Sequence, residues 1–314
     1  MNARSASFAV VVSDNGSTDG SVQWIRDTYP ETAVLENGTN LGFSGGNNVA
    51  IRSSTARYVL LLNNDVEVEP DWLDPLVDRA ESDQMIGAVV PKILQYDDRT
   101  SFEYAGAAGG YLDDFGYPFA RGRIFDTIEV DTGQYDEAAD VFWGSGAALL
   151  LRRSALDRAG LLDERFFMHM EEIDLCWRLR RHGFRVVFEP QSRVYHIGGA
   201  SLPSGDPRKT YYNFRNSLLT LYKNGGRSAW PRRFALRLVL DALAVCRFAV
   251  SGRFGAASAV MRAYVDAHKM KAAYREVRTY RDEAPPSYRG SVVADYFLRR
   301  RRRFSELPQS RFRI

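Results

Sequence analysis

The sequence predicts an α/β fold, a mixed sheet flanked by helices, with a helical extension behind it. Three observations carry that prediction. Short apolar runs alternate with polar loops and helical stretches over the first two thirds of the chain, the pattern of strands connected through helices. At 314 residues, 45% of them hydrophobic, the chain can bury a proper core. Charge breaks sharply near residue 226: residues 1–226 hold 22 Lys/Arg against 32 Asp/Glu, residues 227–314 hold 20 against 7. Residues 1–226 therefore read as one domain and 227–314 as a basic extension. The two cysteines, Cys176 and Cys246, have no metal-ligand spacing, which excludes a zinc site built on them and suits reduced thiols in a cytosolic setting. Met1 to Ser7 has no apolar core of a leader. The most hydrophobic later window, Phe234 to Val250, is interrupted by Arg237, Asp241 and Arg247, so neither a signal peptide nor a spanning helix is expected.

In chain order, Phe8 to Val12 reads as a strand running into Ser13-Asp14-Asn15-Gly16-Ser17-Thr18-Asp19-Gly20, a loop of turn formers. Asp19 or Ser21 then caps a helix whose apolar face is Val22, Trp24 or Ile25. An Asp placed like Asp14 can hydrogen-bond a ribose or base edge, and it can equally close a capping turn. Ala33 to Leu35 is a second strand. Gly42, Gly45 and Gly46 stand before a helix over residues 47–54 and allow close backbone approach to a ligand, although their spacing is neither a Walker nor a dinucleotide fingerprint. Tyr58 to Leu62 reads as a strand buried on both faces that delivers Asn63-Asn64-Asp65 to its carboxyl end. Ligands bind outside such strand ends, and Asp65 there suits a hard divalent cation carrying phosphates, while the same letters also make an ordinary acidic turn.

A helix over 72–79 and a strand from Gly87 follow. Residues 97–140 read as a long irregular excursion, with Tyr104, Tyr111, Phe115, Tyr117 and Phe119 as the loop's own small core in preference to a sugar platform. Val141 to Leu151 is a small-residue turn feeding a strand, and Ser154 caps a short helix to Ala159. From Glu171 the pattern is helical, with Glu171, Glu172 and Asp174 crowded into the first turn. The helix dipole favours acids there, yet three are more than a cap needs, and their repulsion raises at least one pKa toward the range of a general base. Phe184 to Glu189 is a strand ended by Pro190, and Val194-Tyr195-His196 comes after it.

These motifs, Asp14 to Ser21, Asn40-Leu41-Gly42-Phe43, Asn47-Asn48 and Leu62-Asn63-Asn64-Asp65 in this order and spacing, resemble the family-two inverting glycosyltransferases of GT-A fold, in their rhamnosyltransferase-like branch. The likeness extends over residues 8–224. It implies a nucleotide-sugar donor, with dTDP-rhamnose as a candidate, a hydroxyl acceptor on a glycan or lipid carrier, and Mn2+ or Mg2+ on the diphosphate. Asp14, Asn15, Asn40, Gly42, Asn47 and Asn64 take the nucleotide and donor. Asp65 holds the metal, joined by His196 of the Val-x-His-x-Gly-Gly-x-Ser segment. Trp143 and Gly146 lie against the donor sugar and diphosphate, and Arg215 of Tyr211-Tyr212-Asn213-Phe214-Arg215-Asn216 contacts diphosphate or acceptor. The base falls on Glu172, with Glu171 its nearest rival and Asp174 a structural or acceptor contact. Relatives open with a further strand and helix, about 35 residues as a βα unit, so this chain is expected to lack a central strand, which would expose unpaired edges and weaken nucleotide binding.

Beyond Gly225, Arg233, Arg237 and Asp241 recur on one face of a helix over 230–250, with Leu236, Leu240 and Leu243 around the rest, and a second helix runs from Ala256 to about Arg281. After Pro285-Pro286, Arg299 to Arg303 is a run of five arginines. An anionic membrane surface is the expected partner, which would put the protein at the inner face of the plasma membrane, and nucleic acid is not expected. Two rival readings are a catalytically impaired scaffold and a metal-dependent nucleotidyltransferase. The second would want another carboxylate near Asp65 and a basic phosphate loop, and neither is evident in the sequence.

Overall fold

The computed structural model describes residues 7–198, 205–279 and 286–313. The Gly199-Ala200-Ser201 end of the His196 segment, Arg281 and Pro285 lie outside them. The chain runs β1 (Val11–Asp14), α1 (Ser21–Thr28), β2 (Ala33–Glu36), α2 (Gly42–Ser53), β3 (Tyr58–Leu62), β4 (Val66–Val68), α3 (Leu73–Glu81) and β5 (Ile86–Gln95). Four short strands follow, β6 (Gly110–Leu112), β7 (Pro118–Ala120), β8 (Arg123–Ile124) and β9 (Thr127–Ile128), then β10 (Ala139–Val141), β11 (Ala148–Arg152) and α4 (Arg153–Ala159). The remainder is α5 (Glu171–Arg181), β12 (Arg185–His196), α6 (Pro207–Asn224), α7 (Trp230–Val250), α8 (Phe254–Met270) and α9 (Val292–Phe297).

The main sheet is mixed, in the order β10-β12-β5-β11-β3 with β4 also on β12. Its centre is β5, buried at every residue but the last, as a continuous run of β-branched and apolar residues demands. Tyr58 to Leu62 differs from its expectation. It pairs with β11 alone, at the sheet's edge, and of its five residues only Leu61 is buried. The strands β1 and β2 form a separate parallel pair, so α1 has no broad sheet face to cover: it buries no residue, and Trp24 is 59% exposed. Neither Asp19 nor Ser21 caps that helix in the expected way. Gly20 is the cap residue in left-handed conformation, with Asp19 Oδ1 accepting from Ser21 N at 3.1 Å.

Three further expectations are corrected. The glycine-rich stretch is itself helical, because α2 begins at Gly42. Proline does not end the last strand: β12 passes through Pro190 with a register shift between Glu189 and Arg193 and continues to His196. Residues 97–140 are not irregular throughout, since β6 to β9 form a four-stranded sheet. Tyr111 and Phe119 are its core, stacked at 5.8 Å, as the aromatic pattern predicts.

The residues after 227 share that core. Tyr288 and Phe304 pack with Phe119, Tyr288 N donates to Leu112 O at 3.0 Å, and Ala267 and Tyr274 are buried in the same cluster. The arginine run is held in part by Asp295, which is wholly buried and pairs with Arg299 (3.2 Å), Arg301 (2.9 Å) and Arg311 (2.9 Å).

On α7 the charged stripe faces inward. Arg237 and Asp241 are each 1% exposed and pair at 3.0 Å. Arg237 also donates to Phe115 O and Ser217 Oγ and lies 4.0 Å over the Tyr117 ring. Tyr117 and Tyr264 donate their hydroxyls to Asp241. Removing one partner strands a buried charge, so Asp241→Leu is expected to cost about 3–5 kcal/mol. Chemical denaturation checks this, and a loss below about 1 kcal/mol would mean that the pair behaves like a surface ion pair.

Candidate functional site

The turn after β3 carries Asp65 toward the end of β12. The pairing of β4 with β12 sets Val66 opposite His196, and Ile197 N donates to Asp65 O at 3.0 Å, so backbone ladders fix both side chains. Asp65 Oδ1 and His196 Nε2 lie 3.2 Å apart. Glu103 comes to the other ring nitrogen, its Oε1 3.3 Å from Nδ1, within ion-pair range but not aligned as a hydrogen bond. Burial pulls the imidazole toward its neutral form, and the flanking carboxylates of Glu103 and Asp65 outweigh that and raise its pKa.

Asp65 and His196 could each give one ligand to a divalent cation, although among the described residues no three His, Cys, Asp or Glu side chains are grouped to hold one. Adjacent ligands of an octahedral ion with bonds of about 2.1 Å stand about 3 Å apart, and the Asp65 oxygen and His196 nitrogen meet that spacing. Glu103 sits where a carboxylate orients a metal-bound imidazole. Glu103 is absent from the sequence-based assignment because it lies in a segment without periodicity, where one acidic residue carries no signal. Its removal in Glu103→Gln is expected to weaken Mn2+ binding about 10–100-fold. Titration of the free protein with Mn2+ reads this, and an unchanged midpoint would separate Glu103 from the site.

The acidic turn is assembled by a different device. Phe167, His169 and Met170 all take positive φ, between 67° and 73°, immediately before α5. For residues with side chains such conformations cost of order 1–3 kcal/mol each and cluster at functional sites. Asn216, wholly buried on α6, holds them: its Nδ2 lies within 3.0 Å of the carbonyl oxygens of Phe166, Met168 and His169. Arg215 does the same work. It donates to the carbonyls of Arg165 (3.1 Å) and Phe166 (2.8 Å) and to Asn216 Oδ1 (2.8 Å), and it packs over Tyr211 and Tyr212. Arg215 is thus a positioning residue, with its guanidinium turned onto protein carbonyls and not onto a diphosphate.

Among the described residues the two glutamates have no ion-pair partner. Oε2 of Glu171 and Oε2 of Glu172 are both buried and make no hydrogen bond. Desolvation raises Glu172 to about 7, and desolvation together with the Glu172 charge raises Glu171 well above the usual range. Glu172 is the less buried of the two. Of the two roles expected of Asp174, structural or acceptor contact, its surroundings favour the structural one. Burial alone would raise its pKa, but Lys223 and Arg178, each 2.9 Å away, hold it near 2, and it is fully enclosed. His169 next to the glutamates is lowered to about 4 by burial and by the charge of Lys209. Lys209 also lies 5.8 Å over the ring of Tyr104, the residue after Glu103. Tyr104 is 45% exposed.

The residues expected at the donor make packing contacts or hydrogen bonds within the protein. Trp143 is 2% exposed, donates Nε1 to Tyr111 O at 2.9 Å and lies so close to Gly110 that a Cβ there would overlap it. Gly146 makes room for Phe43, 2.7 Å from where a Cβ would stand. Gly42 is required by positive φ and by the Phe167 carbonyl, which a Cβ there would overlap, so this glycine approaches protein backbone. Asn15 donates to Gly42 O at 3.0 Å and accepts from Asn37, tying the β1 loop to α2. Asn40 Oδ1 accepts from Gly42 N at 2.8 Å, and Asn47 donates to Phe43 O at 2.9 Å. Asp14 closes its own turn on the N–H groups of Gly16 (2.9 Å) and Ser17, and hydrogen bonds from Ser17 lower its pKa despite burial. Asn64 is exposed in the turn before Asp65. A surface depression lined by Asp71, Asp74, Asp78 and Glu189 lies elsewhere and shares no residue with these groups.

Comparison with known proteins follows the same lines. The family described as Glycosyl transferase family 2 matches residues 3–158. The chain is 31% identical over 202 residues to the N-acetylglucosaminyl-diphospho-decaprenol L-rhamnosyltransferase of Mycobacterium tuberculosis, a match covering 60% of this chain and 66% of that one. It is 26% identical over 203 residues to the rhamnosyltransferase WbbL of Escherichia coli K12, covering 62% and 75%. Among solved structures, GalNAc-T7 crystallised with UDP, GalNAc and Mn2+ superposes with a TM-score of 0.53 at 16% identity, covering 70% of this chain and 42% of that chain, a likeness of fold.

Proposed function

Since the chain belongs to glycosyl transferase family 2, as a rhamnosyltransferase-like member with a GT-A fold, we propose that it moves a sugar from a nucleoside-diphosphate donor to a hydroxyl acceptor with inversion. The observation that carries this reading is that the chain pairs Asp65 with His196 at 3.2 Å and also holds Glu171 and Glu172 with buried oxygens that have no hydrogen-bond partner among the described residues. Glu172 takes the proton of the acceptor hydroxyl as its oxygen attacks the anomeric carbon, and the bond to the diphosphate breaks in line. Its raised pKa makes it a stronger base than a solvated glutamate while leaving a usable ionised fraction near neutral pH. Glu171, held more firmly protonated, keeps a second negative charge away. Asp65 and His196 would hold Mn2+ or Mg2+, which when bound supplies charge neutralisation for the departing diphosphate. Arg215 and Asn216 keep the strained turn in place.

The acceptor we propose is lipid-linked, in cell-surface polysaccharide or glycan assembly. The name of the mycobacterial relative, a decaprenol-linked glucosaminyl diphosphate, supports that class, and rhamnose from dTDP-rhamnose is the first donor to try. Glu103 supplies the second carboxylate that nucleotidyl transfer would want, but the family membership favours sugar transfer. Donor hydrolysis over a panel of dTDP-, UDP- and GDP-sugars, with and without Mn2+, tests the reading. Metal-dependent release of nucleoside diphosphate from one of them is expected; release of nucleoside monophosphate and pyrophosphate in its place would favour nucleotidyl transfer.

A further inference from the structure

Helix α7 is inside out. A helix packed on a water-soluble core normally buries its apolar stripe and shows its charges to solvent. Here Arg237 and Asp241 are buried, and Leu236 (40%), Leu238 (50%), Val239 (58%) and Leu243 (62%) are exposed. Between Arg232 and Arg247 every exposed residue of the helix is apolar, two alanines and Cys246 completing the face. The polarity of the two sides matches a helix whose outer side meets an apolar medium. The outer side of α8 adds Phe254 (69%), Met261 (57%) and Val265 (54%), while its alanines pack inward.

The surround of this face is basic. Arg232, Arg247, Arg253, Arg262 and Lys269 are exposed on or beside the two helices, whose only acids are Asp241, buried, and Asp266, half-buried. Two copies meeting face to face would bring these cations together, whereas anionic headgroups would complement them. Among the described residues no helix is long and apolar enough to cross a membrane. We propose that the outer face of α7 and α8 docks onto an anionic bilayer, its apolar residues entering the headgroup–acyl boundary and its cations pairing with lipid phosphates. The exposed leucines and valine, and not the arginine run that Asp295 partly holds, are the main anchor. Tyr211 of α6, which packs beneath Arg215, donates to Asp266 of α8 at 2.9 Å, so the docked face adjoins the helix that holds the acidic turn.

Sugar transfer is not needed for this reading, so its test uses lipid alone. Cys246 is exposed on the face and Cys176 is buried, so an environment-sensitive fluorophore can be placed on Cys246 of the natural chain. Vesicles of phosphatidylglycerol and phosphatidylcholine are expected to shift its emission to the blue and to sediment with the protein, more than vesicles of phosphatidylcholine alone. A fraction of the binding should survive 1 M NaCl, because apolar insertion is not screened. The double variant Val239→Asp/Leu243→Asp should lose at least tenfold in vesicle partition while its unfolding transition is unchanged. Equal partition of that variant would overturn the proposal. So would a natural chain that ignores vesicles but is a dimer made monomeric by the same substitutions, since the face would then cover a second copy.

Discussion

Glu172→Gln is expected to lower sugar transfer by about 10² or more, the usual scale for losing a general base, with donor binding kept. The amide has nearly the same shape, so the loss isolates proton transfer. In the natural chain, transfer should rise with pH through about 7, where Glu172 ionises, and the limb should vanish from the residual rate of the variant. A structural role would not move that profile. Stability provides a second, independent reading of the same carboxyl. Its folded pKa, near 7, lies above the ordinary value of 4.5, so the folded state binds its proton more tightly than the unfolded chain does. The stability this contributes is fully present below about pH 4.5 and is lost as pH rises through about 7, by an amount on the order of 3 kcal/mol. Glu172→Gln carries no such loss, so the fall of stability between pH 5 and 8, read by urea unfolding, should be less steep in the variant, with Glu171 still contributing its own share. A larger loss of transfer in Glu171→Gln than in Glu172→Gln would move the base to Glu171.

Asp65→Ala should remove the metal-dependent part of nucleoside diphosphate binding, an effect larger than the about 10–100-fold expected of an outer partner such as Glu103. Asp65 sits in a turn whose backbone is fixed by the β4–β12 ladder and by Ile197 N, so the fold does not depend on its carboxylate. Calorimetry with dTDP and Mn2+ reads the change directly. Unchanged metal-dependent affinity would remove Asp65 from the site.

The place of Asp65 was legible in the sequence because a strand end has a local signature, an apolar run that stops at polar residues, whereas His196 was named only through the family resemblance, and the fold sets it 3.2 Å from Asp65. The three acids after Phe167 were legible as an excess over what a helix cap requires. Other residues of the same motifs were not, because their letters state composition and not direction. Trp143, Gly146 and Gly42 look the same whether they face a ligand or a neighbouring chain segment, and here Tyr111, Phe43 and Phe167 take them. Arg215 has a guanidinium suited to phosphate, but strained carbonyls before α5 claim it. The periodicity of α7 defined a charged stripe correctly, yet a period does not say which side holds the core. The buried side was the charged one because Tyr117, Tyr264 and Ser217, distant in sequence, satisfy it. Glu103 had no pattern around it at all.

This chain is expected to form a glycosidic bond with Asp65 and His196 at the metal and Glu172 as the base. The most direct measurement supplies a nucleotide-sugar, first dTDP-rhamnose, with a prenyl-diphosphate-linked amino sugar as acceptor and Mn2+, and follows nucleoside diphosphate release and the anomeric configuration of the product by NMR. One nucleoside diphosphate per glycosidic bond and an inverted anomeric centre are expected, with product formation lowered about 10²-fold or more in Glu172→Gln. A product with retained configuration, or equal turnover by the natural chain and Glu172→Gln, would contradict that expectation.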